Sequence, residues 1–233
     1  MRLVALTRRH SLLVIGVVLA LAAAAILIVQ GAEGSPSDDP EEKGELYRTA
    51  ADLLEDDSEV AAYVNGRPIP MSMLNAYDLL LRQGHGPFGP EQELPFDNLD
   101  AFLSMLIDME LLYQEAERRG LAPSDDEVVG AIRQIQQELN SILRDDTKLA
   151  REIRTAVESV AGTSFDIDTL DSNPVALEAY RKVMAIGALR EQLLDTVETR
   201  EELLEPGKGE ALVRELLEQL RASAKIEVVA ELP

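Results

Sequence analysis

Residues 60–70 read VAAYVNGRPIP, and this stretch decides how the chain folds. Val60–Val64 is a short run of residues that favour β-strands, and Asn65-Gly66 is a pair typical of a two-residue hairpin turn. Ile69 lies between two prolines, and a helical pattern follows from Met71 to Gln83. We therefore predict one short strand, a turn and then a helix.

The strand at Val60–Val64 needs a partner, because a lone β-pair is stable only when it is packed against other elements. The chain ends with an alternating strand pattern at Lys225–Val229. Pairing these two segments brings the ends of the domain together against its helices. The predicted fold class is therefore mainly α: a helical domain at residues 46–233, closed by a short two-stranded β-pair.

The most apolar helix pattern runs from Asn98 to Arg119, with Asp97 as the predicted N-cap and Gly120 directly after the helix. Its apolar residues cover more than a single face, so we predict a central helix that is contacted on several sides. The main face holds Leu99, Phe102, Leu103, Leu106, Met109, Tyr113 and Ala116, and the residues that widen it are Met105, Ile107, Leu111 and Leu112.

Five further helices are predicted from apolar spacing and from helix-capping signals. Ser124 and Glu127 form a capping-box pattern before one of them, and Asn173-Pro174 is an N-cap pattern before another. The five predicted segments are Leu46–Leu54, the helix after Ser124, Leu149–Val160, Val175–Val197 and the helix after Gly207.

The N-terminal 30 residues predict a membrane anchor. Residues 1–11 contain Arg2, Arg8 and Arg9 and no acid, and residues 12–29 are apolar throughout. Such a helix rises about 27 Å, close to the roughly 30 Å hydrocarbon thickness of a bilayer. We predict a transmembrane signal-anchor at residues 12–30, with the arginines cytoplasmic and the remainder extracytoplasmic. A cleaved signal peptide that releases a secreted or periplasmic protein is the alternative.

Composition limits the functions that the chain can have. Residues 31–45 are acidic and rich in Gly, Ser and Pro, which predicts a flexible linker. The net charge of −21 argues against a nucleic-acid binder, because phosphate contacts need clustered Lys and Arg. The absence of cysteine excludes disulfides, zinc-thiolate sites and a catalytic thiol.

Residues 60–70, the pattern LSMLIDMELLYQEAERRGLAPSDDEV at 103–128 and the terminal LLEQLRASAKIEVV at 216–229 together resemble the SurA-type N-terminal chaperone domain. The resemblance covers roughly residues 58–143 and 175–230. This domain, which PrsA-like proteins share, belongs to extracytoplasmic folding factors and is often joined to a parvulin-type prolyl isomerase module. It is also related to the substrate-binding part of trigger factor. The resemblance implies binding of unfolded or newly exported polypeptides.

The chain departs from the family pattern in the missing parvulin module and at Pro70. Only residues 198–209 separate the two helices between which the module is usually inserted, and chains below about 40 residues rarely fold unaided. The isomerase site also uses histidines, whereas this chain has only His10 and His85. Pro70 occupies a position where the family usually has a Ser or Thr cap. We predict that the isomerase module is absent.

No catalytic, cofactor or metal site is predicted. Asp166, Asp168 and Asp171 share one loop, but an EF-hand would need Gly and Glu at its sixth and twelfth positions, where this chain has Asp and Leu. Asp108 and Glu110 lie within the most apolar helix without a partner base or nucleophile. We interpret them as a polar strip or a buried acid–arginine contact, and the protein is predicted not to be an enzyme.

Several methionines lie on helices that line the middle of the domain, and methionine adapts to many apolar partners. The leading hypothesis is a membrane-anchored, ATP-independent holdase for exported proteins. The alternative is a membrane-tethered scaffold that holds one dedicated partner; homodimerisation stays open. Ordinary core packing is the competing interpretation of each methionine. The candidate client-binding groove is Met71, Met73, Leu74, Tyr77, Leu103, Met105, Met109 and Met184.

Overall fold

The computed structural model describes residues 40–54, 59–82, 98–144, 147–162, 166–196 and 208–230. Within these ranges the chain forms seven helices and one antiparallel three-stranded sheet. The elements in chain order are α1 (Pro40–Leu54), β1 (Val60–Val64), β2 (Arg67–Pro70), α2 (Met71–Arg82), α3 (Leu99–Arg118), α4 (Asp125–Ile142), α5 (Lys148–Ser159), α6 (Pro174–Leu194), α7 (Lys208–Ser223) and β3 (Ile226–Val228).

The sheet has the order β2-β1-β3, so the predicted pairing between the first strand and the C-terminal strand is present. The prediction of two strands was wrong, because β2 adds a third. Asn65 and Gly66 adopt φ angles of 52° and 85°, the positive values that a type I′ turn requires. The turn therefore folds Arg67–Pro70 directly back along β1. Prolines are accepted in β2 because it is an edge strand.

Helix α3 begins and ends through local hydrogen bonds. The N-cap is Asn98 rather than the predicted Asp97, because the Asn98 side chain accepts a hydrogen bond from the Ala101 N–H at 2.8 Å. At the other end Gly120 has a φ of 71°, and its N–H donates to the Glu117 carbonyl at 2.9 Å. This left-handed residue ends the helix, as the sequence predicts.

The other capping signals also correspond to real helix starts. Ser124 and Glu127 form both hydrogen bonds of a capping box at the start of α4. The Asn173 side chain accepts from the Val175 and Ala176 N–H groups, and Pro174 is the first residue of α6. Helix α2 instead starts directly after Pro70 without a side-chain cap, and the Met71 N–H donates to the Glu59 carbonyl at 2.9 Å.

The predicted linker is too long at its C-terminal end, because α1 already begins at Pro40. Helix α1 packs against α2 and α5. Arg48 on α1 donates to the Ser159 and Ala161 carbonyls at the end of α5, at 3.2 and 3.1 Å. This tertiary contact stabilises a helix that an acidic Gly- and Pro-containing sequence does not predict by itself. Residues 31–39 lie outside the described residues.

Three apolar clusters of described residues contribute to the core, and α3 belongs to two of them. This confirms α3 as a central helix; it packs against β1, α2, α6 and α7. The sheet cluster comprises Ala61, Ala62, Val64, Ile69, Leu74, Leu103, Leu106, Ile107 and Leu111. The bundle cluster comprises Leu112, Tyr113, Ala116, Ala185, Leu189, Val213 and Leu216. The outer cluster comprises Val128, Ile132, Leu139, Ile167, Leu170, Ala176, Tyr180 and Val183.

None of the helices in the described ranges combines the length and the apolar character that are needed to cross a bilayer. The predicted cytoplasmic segment and anchor, residues 1–11 and 12–30, lie outside those ranges.

Replacing Asn65 by Ala tests how strongly the turn stabilises the fold. The Asn65 side chain accepts from the Lys225 N–H and donates to the Gln114 side chain, both at 2.8 Å. We expect Asn65→Ala to lower the free energy of unfolding by about 2 kcal/mol, from strain at positive φ and lost hydrogen bonds. Urea denaturation followed by circular dichroism measures this value.

Asn65→Gly is the matched control, because glycine accepts the positive φ without strain but lacks the side chain. It should lie between the wild type and Asn65→Ala. Equal stability of all three proteins would contradict the role assigned to this turn.

Candidate functional site

The eight residues predicted to line a client-binding groove divide into two groups by exposure. Leu74, Tyr77 and Leu103 are buried, with exposed fractions of 0%, 6% and 4%. Leu74 and Leu103 belong to the sheet cluster. All three side chains are buried, and no binding partner can reach them in this conformation. The five methionines are all half-buried.

Three of the methionines pack against the same core cluster. Met71 and Met73 on α2 and Met105 on α3 pack against the sheet cluster with part of each side chain exposed. Phe102 belongs to the same half-buried group, and its ring stacks on Tyr77 with centroids 3.9 Å apart. We call Met71, Met73, Phe102 and Met105 the methionine rim. These are the half-buried predicted groove residues, with Phe102, that pack against the sheet cluster.

The remaining predicted groove residues lie elsewhere. Met184 on α6 packs against the outer cluster, away from the sheet cluster. Met109 is half-buried on α3, one helical turn beyond Met105. The eight residues therefore do not form one continuous groove. Helical spacing predicts which face of a helix is apolar, but it does not predict which neighbouring helix covers that face.

Exposed apolar side chains are few in the part of the chain that the structure describes. The large ones there are Val175 on α6, and Val228 and Val229 at the C-terminal strand. A shallow pocket of about 280 Å³ lies at the sheet, next to the turn after β1. Its lining residues are Tyr63, Gly66, Lys225 and Glu227. Sequence reasoning missed this pocket, although the alternation of Lys225 and Glu227 in a strand is the pattern that places both side chains on one face.

Glu110 is the main buried charge of the domain, with 3% of the residue exposed. Its carboxylate accepts from Lys182 on α6 at 2.7 Å and from Gln114 at 2.9 Å, and Arg67 on β2 lies 3.6 Å away. A buried carboxylate needs such partners, because removing it from water is costly. Glu110 thus connects the hairpin, α3 and α6. The interpretation of Glu110 as a buried ion-pair residue is confirmed, with a lysine as its nearest cation.

Tyr113 extends this polar layer. Arg67 and Lys182 lie 5.7 and 5.3 Å from its ring centroid, within cation–π range. The Arg67 guanidinium also contacts the Glu117 carboxylate at 2.6 Å. Burial, together with the negative charges of Glu178 and Glu117, raises the pKa of Tyr113 to about 12. Tyr113 is therefore neutral at physiological pH.

The remaining acids singled out in the sequence also have structural partners. Asp108 forms an ion pair with Arg221 on α7 at 2.5 Å. Asp166 accepts from the Gly162 and Asp168 N–H groups at 2.8 and 3.0 Å, and Asp171 pairs with Arg133 on α4. Within the described ranges no group of three or more metal-ligating side chains converges.

Comparison with protein families shows which family the chain belongs to. The family described as the SurA-like N-terminal domain matches residues 4–147, more than half of the chain. The chain belongs to this family. No parvulin domain is detected beside it. Comparisons with curated proteins and with solved structures find no match.

The SurA-like match includes the VAAYVNGRPIP strand and hairpin, α3 and the whole of α4. It also reaches back to residue 4, whereas the second stretch of predicted resemblance, residues 175–230, lies beyond it. Membership indicates a chaperone-like or protein-interaction role.

Removing the Glu110 carboxylate should destabilise the domain strongly. Glu110→Ala leaves Lys182 and Gln114 without their shared acceptor, and we expect the free energy of unfolding to fall by about 3 kcal/mol. Lys182 is 32% exposed, so water compensates part of this loss.

The double variant Glu110→Met with Lys182→Met is the control, because it removes both charges and keeps apolar volume. It should lose less stability than Glu110→Ala, as urea denaturation would show. A larger loss in the double variant would contradict the ion-pair account.

Glu115 should make stability depend on acid pH. Hydrogen bonds from Arg118, and then from Arg119, lower the pKa of this buried carboxylate from 4.5 to about 2. A lowered folded-state pKa contributes stability above pH 4.5 that is lost as the pH falls towards 2. We expect Glu115→Gln to be about 2 kcal/mol less stable at neutral pH.

The difference between Glu115→Gln and the wild type should shrink as the pH falls from 4.5 to 2. Urea denaturation at a series of pH values measures it. A difference that stays constant across this window would refute the assignment to Glu115.

Proposed function

We propose that the protein is a membrane-anchored, extracytoplasmic, ATP-independent chaperone that holds unfolded segments of exported proteins. The observation that carries the proposal is the SurA-like family match over residues 4–147. The apolar run at residues 12–29, preceded by three arginines, supports an anchor whose positive flank stays in the cytoplasm.

The methionine rim is the proposed client-binding surface. Met71, Met73 and Met105 are unbranched and polarisable, so they can adjust to apolar segments of different shape. Phe102 adds an aromatic contact that is held in place by its stacking on Tyr77. Half-burial supports this role, because part of each side chain is accessible while its base is fixed by the sheet cluster.

Charge supports a holding function rather than tight recognition. A net charge of −21 favours solubility and opposes association between loaded complexes. The rim itself consists of apolar side chains, so it offers no polar group to orient a single ligand. We therefore propose weak, broad binding. We also propose that the protein has no isomerase activity, because residues 198–209 are too few to fold as a parvulin module.

A scaffold with one dedicated partner is the second candidate. It is favoured by the scarcity of exposed large apolar side chains in the described ranges, where Val175, Val228 and Val229 are the examples. A broad holdase usually presents a larger apolar area than this. A single protein that co-purifies with the chain, in place of many clients, would favour the scaffold.

Suppression of client aggregation tests the leading proposal. Full-length protein in phosphatidylcholine nanodiscs should reduce light scattering from a chemically denatured model client on dilution, compared with empty nanodiscs. We expect the double variant Met73→Gln with Met105→Gln to lose at least half of this suppression, because both changes make the rim polar.

Met184→Gln is the matched control, because Met184 is equally half-buried but packs against the outer cluster. It should suppress aggregation as the wild type does, with circular dichroism confirming that all variants are folded. The absence of suppression by the wild type at several-fold molar excess would reject the holdase.

A further inference from the structure

The two edges of the sheet differ in their ability to accept another strand. In the β1–β2 hairpin, Val64 pairs with Arg67 and Ala62 with Ile69. Antiparallel geometry alternates the direction of backbone groups, so Arg67 and Ile69 face β1. The backbone groups that face outwards then belong to Pro68 and Pro70, which have no N–H. This edge offers no donor to an incoming strand.

The β3 edge is open by the same geometry. The backbones of Lys225 and Val229 face β1. The Asn65 N–H donates to the Lys225 carbonyl, and the Val229 N–H donates to the Ala61 carbonyl. The alternate residues Ile226 and Val228 therefore direct their N–H and carbonyl groups away from β1. Neither is proline, so both can donate and accept.

Side-chain exposure also distinguishes the β3 edge. Val228 is 55% exposed, whereas Ala62 and Ile69, its neighbours on the same face of the sheet, are buried. On the opposite face of β3, the Glu227 side chain is 62% exposed and borders the shallow pocket with Tyr63. Lys225 approaches Glu227 only to 4.0 Å, and such an exposed pair contributes little. Glu227 is therefore available to a cation on an added strand.

A second copy of the chain is a poor occupant of this edge. Consider two copies whose β3 strands pair antiparallel, with Ile226 of each copy opposite Val228 of the other. In this register Glu227 lies directly opposite Glu227 of the other copy. Like charges opposite one another destabilise a strand pair. Both copies would also carry a net charge of −21.

We propose that β3 binds an extended polypeptide segment that alternates apolar and basic residues, added to the sheet as a fourth strand. Backbone hydrogen bonds to Ile226 and Val228 hold the segment, its apolar residues cover Val228, and a basic residue lies opposite Glu227. This inference rests on the proposed function and specifies a class of client. The net negative charge of the whole chain attracts the same segments.

A labelled peptide of alternating lysine and valine tests the proposal by fluorescence anisotropy, with the full-length protein in phosphatidylcholine nanodiscs and empty nanodiscs as the blank. An alternating glutamate–valine peptide should bind at least about tenfold more weakly, because of repulsion by Glu227. Val228→Pro removes the outward N–H, as Pro68 and Pro70 do on the other edge. It should weaken binding of the lysine peptide by about tenfold.

Val228→Ala is the matched control; it keeps the N–H and should lose clearly less affinity than Val228→Pro. Glu227→Lys provides an independent test that does not depend on proline. It should weaken the lysine peptide and strengthen the glutamate peptide. Lysine-peptide binding that is unchanged by both Val228→Pro and Glu227→Lys would overturn the proposal.

Two further measurements separate this inference from its alternatives. Sedimentation that shows a dimer of the wild type, dissociated by Val228→Pro, would assign the edge to a second copy and overturn the client proposal. Client aggregation is measured in the same samples. Suppression of aggregation without any peptide binding at β3 would reject this inference and leave the holdase intact, whereas peptide binding without suppression would reject the holdase alone.

Discussion

The antiparallel ladder between β1 and β3 is the constraint on which the domain depends. It joins Ala62 to Val228 and so closes a loop that contains β2 and six of the seven described helices. The entropic cost of closing a loop grows only slowly with the length of the loop, by about 0.6 kcal/mol for each doubling. Complete burial of Ala61, Ala62 and Val64 offsets this cost. Asn65 strengthens the closure, because its backbone and side chain both bond to Lys225.

Helix α3 is the second organising element, since it has apolar residues on opposite sides. Leu103 and Leu111 face the sheet cluster, and Leu112 and Ala116 face the bundle cluster. Glu110 sits between these faces and bonds to Lys182 on α6, with Arg67 of the hairpin nearby. A charge in this position is compatible with burial only when all its partners are in place, so it fixes the relative positions of the hairpin, α3 and α6.

The surfaces left over by this packing carry the functional argument. The sheet cluster buries Leu74 and Leu103 but leaves the methionine rim half-buried. The sheet likewise has one edge blocked by Pro68 and Pro70 and one edge with free backbone groups at Ile226 and Val228. Natural sheets protect the edges that must not pair. The β3 edge is short and carries exposed charges at Lys225 and Glu227, which limits indiscriminate pairing. Its outward backbone groups differ from those of Pro68 and Pro70 because they include N–H donors.

Sequence alone determined the elements whose signals are local. The hairpin at Asn65-Gly66, the caps at Ser124 and Asn173 and the stop at Gly120 follow from backbone torsions and hydrogen bonds within a few residues. The pairing of β1 with β3 could also be predicted from the sequence, because the chain has few segments with a strand pattern.

Tertiary structure alone decided which apolar residues stay accessible. Tyr77 and Met73 lie on the same helix pattern, yet one is buried and the other is half-exposed. Met184 belongs to a different cluster from Met105. Arg48 of α1 reaches the end of α5, 111 residues along the chain, a contact that no local pattern predicts. Burial and long-range contacts depend on which elements meet in space, and residue spacing along one helix holds no information about the surface that covers it.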